Sequence, residues 1–187
     1  MKKRKSGRAS FFCGFALPAT LMDTTATLAL LHHQRELLTE HGMAVLGTWA
    51  LLNLLVSGYL VARTDRRTEP HYFHQMNAGW NIINLLLAVA GILRAQPGPV
   101  AGLTLAASLQ DQYTLEKILL LNAGLDVAYL CVGSWLRARG ACAPQRPERL
   151  LGFGRSLWLQ GGFLLLFDTG FYFLYHRYAG ALLALVS

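Results

Sequence analysis

Charge is scarce in this chain: only 14% of its 187 residues are Asp, Glu, Lys or Arg, while 53% are hydrophobic. An average soluble domain carries roughly 25% charged residues. Cysteine is scarcer still. Cys13, Cys131 and Cys142 are an odd set with no metal-ligand spacing, which excludes a disulfide framework and a cysteine zinc site. The sequence has no glycine-rich phosphate loop, no Gly-x-Ser-x-Gly elbow and no His-Glu-x-x-His, so the common signatures of nucleotide, acyl-transfer and metalloprotease chemistry are missing. The net charge is +7, but the basic residues form no continuous stripe for phosphates to follow. No nucleic acid partner is expected.

What is present is long apolar runs. A membrane-spanning helix needs about 20 mostly apolar residues. Four segments qualify, at about 42–62, 76–93, 118–136 and 157–175, and none contains Lys or Arg. The fold class expected is all-α: an integral membrane, antiparallel four-helix transmembrane bundle occupying 27–187. Antiparallel order follows from short connections. Pro97 and Pro99, then Pro144 and Pro147, stop helices after the second and third runs.

Residues 1–26 join a basic head, Met1-Lys2-Lys3-Arg4-Lys5, to an apolar stretch Phe11–Met22 and small residues at Thr24-Thr25-Ala26. This pattern fits a secretory signal peptide. An uncleaved anchor through Phe11–Leu31 is the alternative. Pro18 and Asp23 sit badly in a permanent span and favour cleavage. Residues 27–41 mix Leu28, Leu31, Leu37 and Leu38 with His and Glu, as an interfacial helix would, and are able to join the first span as one long helix.

Orientation follows from arginine counts. Arg63, Arg66 and Arg67, with Arg137, Arg139, Arg146, Arg149 and Arg155, make eight basic residues on one side. Arg35, Arg94, Lys117 and Arg177 make four on the other. The positive-inside rule therefore puts loops 63–75 and 137–156 in the cytoplasm and the mature N- and C-termini outside, in what is expected to be a bacterial inner membrane. The expected partners are the lipid bilayer and a second copy or another membrane subunit.

Polar residues inside the apolar runs are the candidate site. Asn53, Asn84, Asp126 and Asp168 fall near mid-span on four different helices, which predicts one common layer. Asn77, Asn81 and Asn84 share one helix face, and Asn122, Asp126 and Tyr129 repeat that spacing. In lipid such groups need partners, so these faces should turn inward, with Trp49 and Trp80 as further donors. An ionised carboxylate at mid-span costs about 2.5–3.5 kcal/mol. Asp126 and Asp168 have no Lys or Arg in any span to answer them. They are expected to be protonated, hydrogen-bonded or holding a cation. A clasp locking helix register and a proton or cation site both follow from this. Small residues Gly47, Gly58, Gly161, Gly162 and Gly170 suit close helix approach.

At the outer level, His32, Glu36 and Glu40 share a helix face, with His41 nearby and His176 reaching the same height. They are weak metal or haem candidates, since nothing fixes a ligand pair. No cofactor is otherwise expected.

The stretches His74-Gln75-Met76-Asn77 with Trp80-Asn81, Asn122-Ala123-Gly124-Leu125-Asp126 and Gly161–Asp168 resemble an uncharacterised family of small bacterial multi-span membrane proteins over about residues 42–178. The resemblance implies a bacterial source and a shared spanning region, and no activity. The expected role is a structural or partner-binding membrane subunit. The rivals are a small proton- or cation-coupled transporter or channel component using Asp126 and Asp168, and a membrane redox or metal-binding subunit using the outer histidines.

Overall fold

The computed structural model describes residues 19–98, 100–142 and 145–186, so most of the signal peptide or anchor expected at 1–26 lies outside the described residues. Four helices follow in order: α1 Ala19–Arg63, α2 Glu69–Arg94, α3 Leu105–Ala141 and α4 Pro147–Leu183. No strand occurs among the described residues. All four helices are long and apolar enough to cross a membrane.

Each helix outruns the apolar segment that predicted it. The stretch 27–41 is not a separate element but continues without a break into the first apolar run, and 105–117 likewise runs straight into the third. Apolarity marks only the part that suits hydrocarbon. Leu, Ala, Glu, Gln and Lys at the ends carry good helix propensity and extend the hydrogen-bond ladder beyond it. At 1.5 Å per residue, α3 and α4 are roughly 55 Å long, well beyond the ~30 Å hydrocarbon thickness.

The ends have local causes. Thr104 caps α3, its side chain accepting from the Ala107 N–H at 3.2 Å. The turn before it passes through Gly102 at φ 74, a left-handed backbone that glycine adopts without a Cβ penalty. Proline stands in the first turn of both α2 and α4, where its missing N–H costs nothing.

Helix α4 touches all three others. It packs most extensively on α3 and also on α2, and more lightly on α1, while α1 and α2 form a second close pair. Pairs such as Asn53 with Asn77 and Met43 with Gly91 show that α1 and α2 run antiparallel. Gln112 with Tyr175 and Gly133 with Gly154 show the same for α3 and α4. The arrangement is thus a three-helix group α1/α2/α4 with α3 fastened along α4.

The α3–α4 seam has a period of seven. Gln112, Leu119, Asp126, Gly133 and Gly140 are buried on α3, and Gly154, Gly161, Asp168, Tyr175 and Leu182 on α4. A seven-residue repeat keeps two helices in contact through a left-handed supercoil. Glycine brings the backbones close. A Cβ added at Gly154 would lie 2.6 Å from the Gly133 carbonyl oxygen, and one at Gly161 3.1 Å from that of Asp126. At the other contact with α4, a Cβ at Gly152 would lie 2.6 Å from the Glu69 carbonyl oxygen of α2. Gly58, Gly162 and Gly170, expected at contacts, face open space instead. Glycine content alone marks no helix face.

The burial pattern is inverted relative to a water-soluble core. Leu55, Leu93 and Leu166 are 71%, 77% and 78% exposed, whereas Arg35, Asn81 and Gln160 are 0–1% exposed. The buried apolar cluster is small: Leu46, Ala88 and Leu164, with Met43, Phe163 and Phe167 against it.

Candidate functional site

The polar side chains inside the bundle gather at two levels rather than one. The first is a node on Gln160 of α4. Its Nε2 donates to Asn77 Oδ1 at 2.6 Å. Its Oε1 accepts from Trp49 Nε1 at 3.2 Å and from Asn84 Nδ2 at 3.3 Å. Asn77 Nδ2 in turn donates to Asn53 Oδ1 at 2.9 Å and to Ser57 Oγ at 2.8 Å. Three helices, α1, α2 and α4, are therefore joined through one glutamine and one asparagine. Asn81 donates to the Asn77 backbone carbonyl at 2.7 Å, and its Oδ1 has no partner among the described residues. A Trp49–Phe163 stack at 3.9 Å between centroids covers the node on the α1–α4 side.

The second level is a carboxyl pair. Asp126 of α3 and Asp168 of α4 are both buried and stand next to each other on the α3–α4 seam. A hydrogen bond between two carboxyls needs one proton on the pair, because an ionised carboxylate only accepts. Asp126 Oδ2 has no hydrogen-bond partner among the described residues. Asp168 stands two turns beyond Gln160 on α4, roughly 12 Å along the axis. The expected single layer of Asn53, Asn84, Asp126 and Asp168 is accordingly divided: the asparagines meet Gln160, and the aspartates meet each other. Asn122 is half-buried and enters neither group. Tyr129 packs its ring on Trp80 at 4.8 Å.

The outer histidines and acids do not converge. No group of three or more His, Cys, Asp or Glu able to hold a metal occurs among the described residues. His32 Nε2 lies 3.1 Å from the Gln96 carbonyl oxygen, and Glu36 accepts from the Gln96 N–H at 2.9 Å. These contacts tie α1 to the end of α2. His176 Nδ1 contacts Glu116 Oε1 at 3.1 Å across the α3–α4 seam. Glu40 and His41 have no part in either contact. His32 and Glu36 meet Gln96 whereas His176 meets Glu116, so no common centre forms among the described residues.

At that same end the structure places a cluster that the spacing arguments passed over. Arg35 is completely buried, donating from Nη1 to the Ser108 carbonyl at 2.7 Å and to Gln112 Oε1 at 3.4 Å. Gln112 Nε2 donates to Glu116 Oε1 at 2.8 Å and to the Tyr175 carbonyl at 2.9 Å. Ser108, Gln112 and Glu116 at i, i+4, i+8 are the legible signal: a polar stripe on a helix whose other faces are apolar.

These positions can be set against a family. The chain belongs to DUF6992, a family of unknown function. The DUF6992 match spans residues 45–169, so it takes in the whole Gln160 node, both aspartates and the motifs around Asn77, Asn122 and Gly161. Arg35 and His176 lie outside it. No curated protein and no solved structure matches this DUF6992 chain.

Proposed function

We propose that this DUF6992 chain is a multi-span membrane protein acting as a structural or partner-binding subunit, with buried polar groups fixing the register of its helices. The observation that carries this reading is the inverted burial: large aliphatic side chains face outward and amides and carboxyls face inward. Lipid is the solvent in which that arrangement is stable. It welcomes the leucines and forces each polar group to find a partner within the protein. The arginine distribution supports an orientation with 63–75 and 137–156 in the cytoplasm of a bacterial cell and the mature ends outside. The decisive test is extraction. The protein should stay with membranes through alkaline carbonate and leave only with detergent. Release by carbonate as a monodisperse, folded species would end the reading.

The carboxyl pair favours a second reading, a proton- or cation-coupled transport component. Two adjacent buried carboxyls are a pair able to share a proton or hold an ion, and Asp126 Oδ2 has no partner among the described residues. Reconstituted protein would then show a pH-gradient-driven flux that Asp126→Asn abolishes without loss of fold. Flux equal to that of empty liposomes would remove transport and leave the subunit reading.

A further inference from the structure

We infer that Arg35 is the anchor of an oxyanion-binding site, built between α1 and the start of α3, that takes a phosphate group. Arg35 is 0% exposed, yet only Nη1 is engaged. Its Nε and Nη2 have no partner among the described residues. These two nitrogens present parallel N–H groups on one edge of the guanidinium, the fork that matches two oxygens of a phosphate or carboxylate. Arginine remains protonated in a protein, so the positive charge is fixed.

Among the described residues no carboxylate pairs directly with that charge. The ion pairs among the described residues are Arg155–Glu69 and His176–Glu116. Glu116 is linked to Arg35 only through Gln112, and its own Oε1 is already taken by Gln112 Nε2 and His176. A buried cation without a counter-ion is strongly disfavoured, and an external anion removes the penalty.

Two further side-chain groups on neighbouring residues are buried and unpartnered among the described residues. Ser108 Oγ is buried and unpartnered, on the residue whose carbonyl Arg35 holds. His32 Nδ1 is likewise unpartnered, one turn before Arg35. Leu28, His32 and Arg35 lie on one face of α1, and helical side chains lean toward the N-terminus, so Arg35 reaches toward His32. Leu28 and His32 also line a half-open cavity of about 480 Å³ together with Pro97, Val100 and Leu103, and Arg35 sits one turn of α1 behind that lining. The site thus has a cationic fork, a hydroxyl donor, an imidazole and a partly apolar approach. That chemistry suits phosphate from either a phospholipid headgroup or a small soluble phosphate.

The test uses the full chain, purified in a nonionic detergent. One arm measures thermal unfolding while inorganic phosphate replaces chloride at constant ionic strength. The other looks for retained phospholipid by native mass spectrometry. Stabilisation by inorganic phosphate identifies a free oxyanion, and retained phospholipid at about one per chain identifies a headgroup; either supports the site. Arg35→Lys keeps the charge but removes the fork. It should weaken binding about tenfold, the factor carried by one charge-assisted hydrogen bond. Ser108→Ala, a small change, should weaken it less and leaves the fold intact if Arg35→Lys does not. Wild-type protein that neither responds to phosphate nor retains phospholipid overturns the inference. So does binding that Ser108→Ala and Arg35→Lys leave unchanged.

Discussion

Gln160 donates to Asn77 at 2.6 Å across the α2–α4 contact, and through Trp49 and Asn53 the pair also reaches α1. In water such a bond would compete with solvent. Between helices set in lipid, as proposed, its alternative is an unsatisfied amide. Interhelical hydrogen bonds average roughly 0.6 kcal/mol, so removing the three side-chain partners of Gln160 should cost about 2 kcal/mol. Gln160→Leu is expected to lower stability by that amount in detergent unfolding. A double-mutant cycle with Asn77→Ala should show clear coupling. Additive effects would mean that the two amides do not act together.

Glycines at the α3–α4 seam and glycines on open faces should respond oppositely. Gly154→Ala sets a methyl against the Gly133 carbonyl at 2.6 Å, backbone that has no room to yield. It should loosen α3 from α4, seen as a lower melting temperature and slower disulfide crosslinking between paired cysteines across the seam. Gly162→Ala meets nothing within 4 Å. It should be neutral or stabilising by up to about 1 kcal/mol, the helix advantage of Ala over Gly.

The carboxyl pair predicts an asymmetry between isosteric and apolar replacements. Asp126→Asn keeps a hydrogen bond to Asp168 and should leave stability within about 1 kcal/mol of wild type. Asp126→Leu strands a buried Asp168 and should cost about 3 kcal/mol or more, since breaking one side of a buried pair leaves the other uncompensated. Equal melting temperatures for the two variants would show that the carboxyls do not meet.

Orientation can be read from a natural probe. Cys142 lies beside the 143–146 connection and its thiol is free and exposed. With Cys13 and Cys131 replaced by Ser, Cys142 should resist an impermeant maleimide in intact cells and react once the membrane is opened. Labelling in intact cells would reverse the assigned sides.

The sequence alone determined that this chain is helical, how many helices it has and where their apolar stretches lie. Those properties are local: an uncharged run of about 20 residues has one stable backbone form in hydrocarbon, whatever its neighbours do. The inward faces of Asn77, Asn81 and Asn84 were legible for the same reason, because 3.6 residues per turn fixes which residues share a side. Even the sevenfold spacing of Gly154, Gly161 and Asp168 was there to read. Tertiary structure decided who meets whom. Gln160 and Asp168 stand about 80° apart around α4, and only the placement of α2 and α3 around that helix gives Asn77 the amide and Asp126 the acid. The same holds for Arg35, which reads as a surface charge on an amphipathic approach until α3 extends far enough to bury it. Stagger and azimuth are set by contacts between distant segments, through glycine seams and side-chain shape, and no local pattern encodes them.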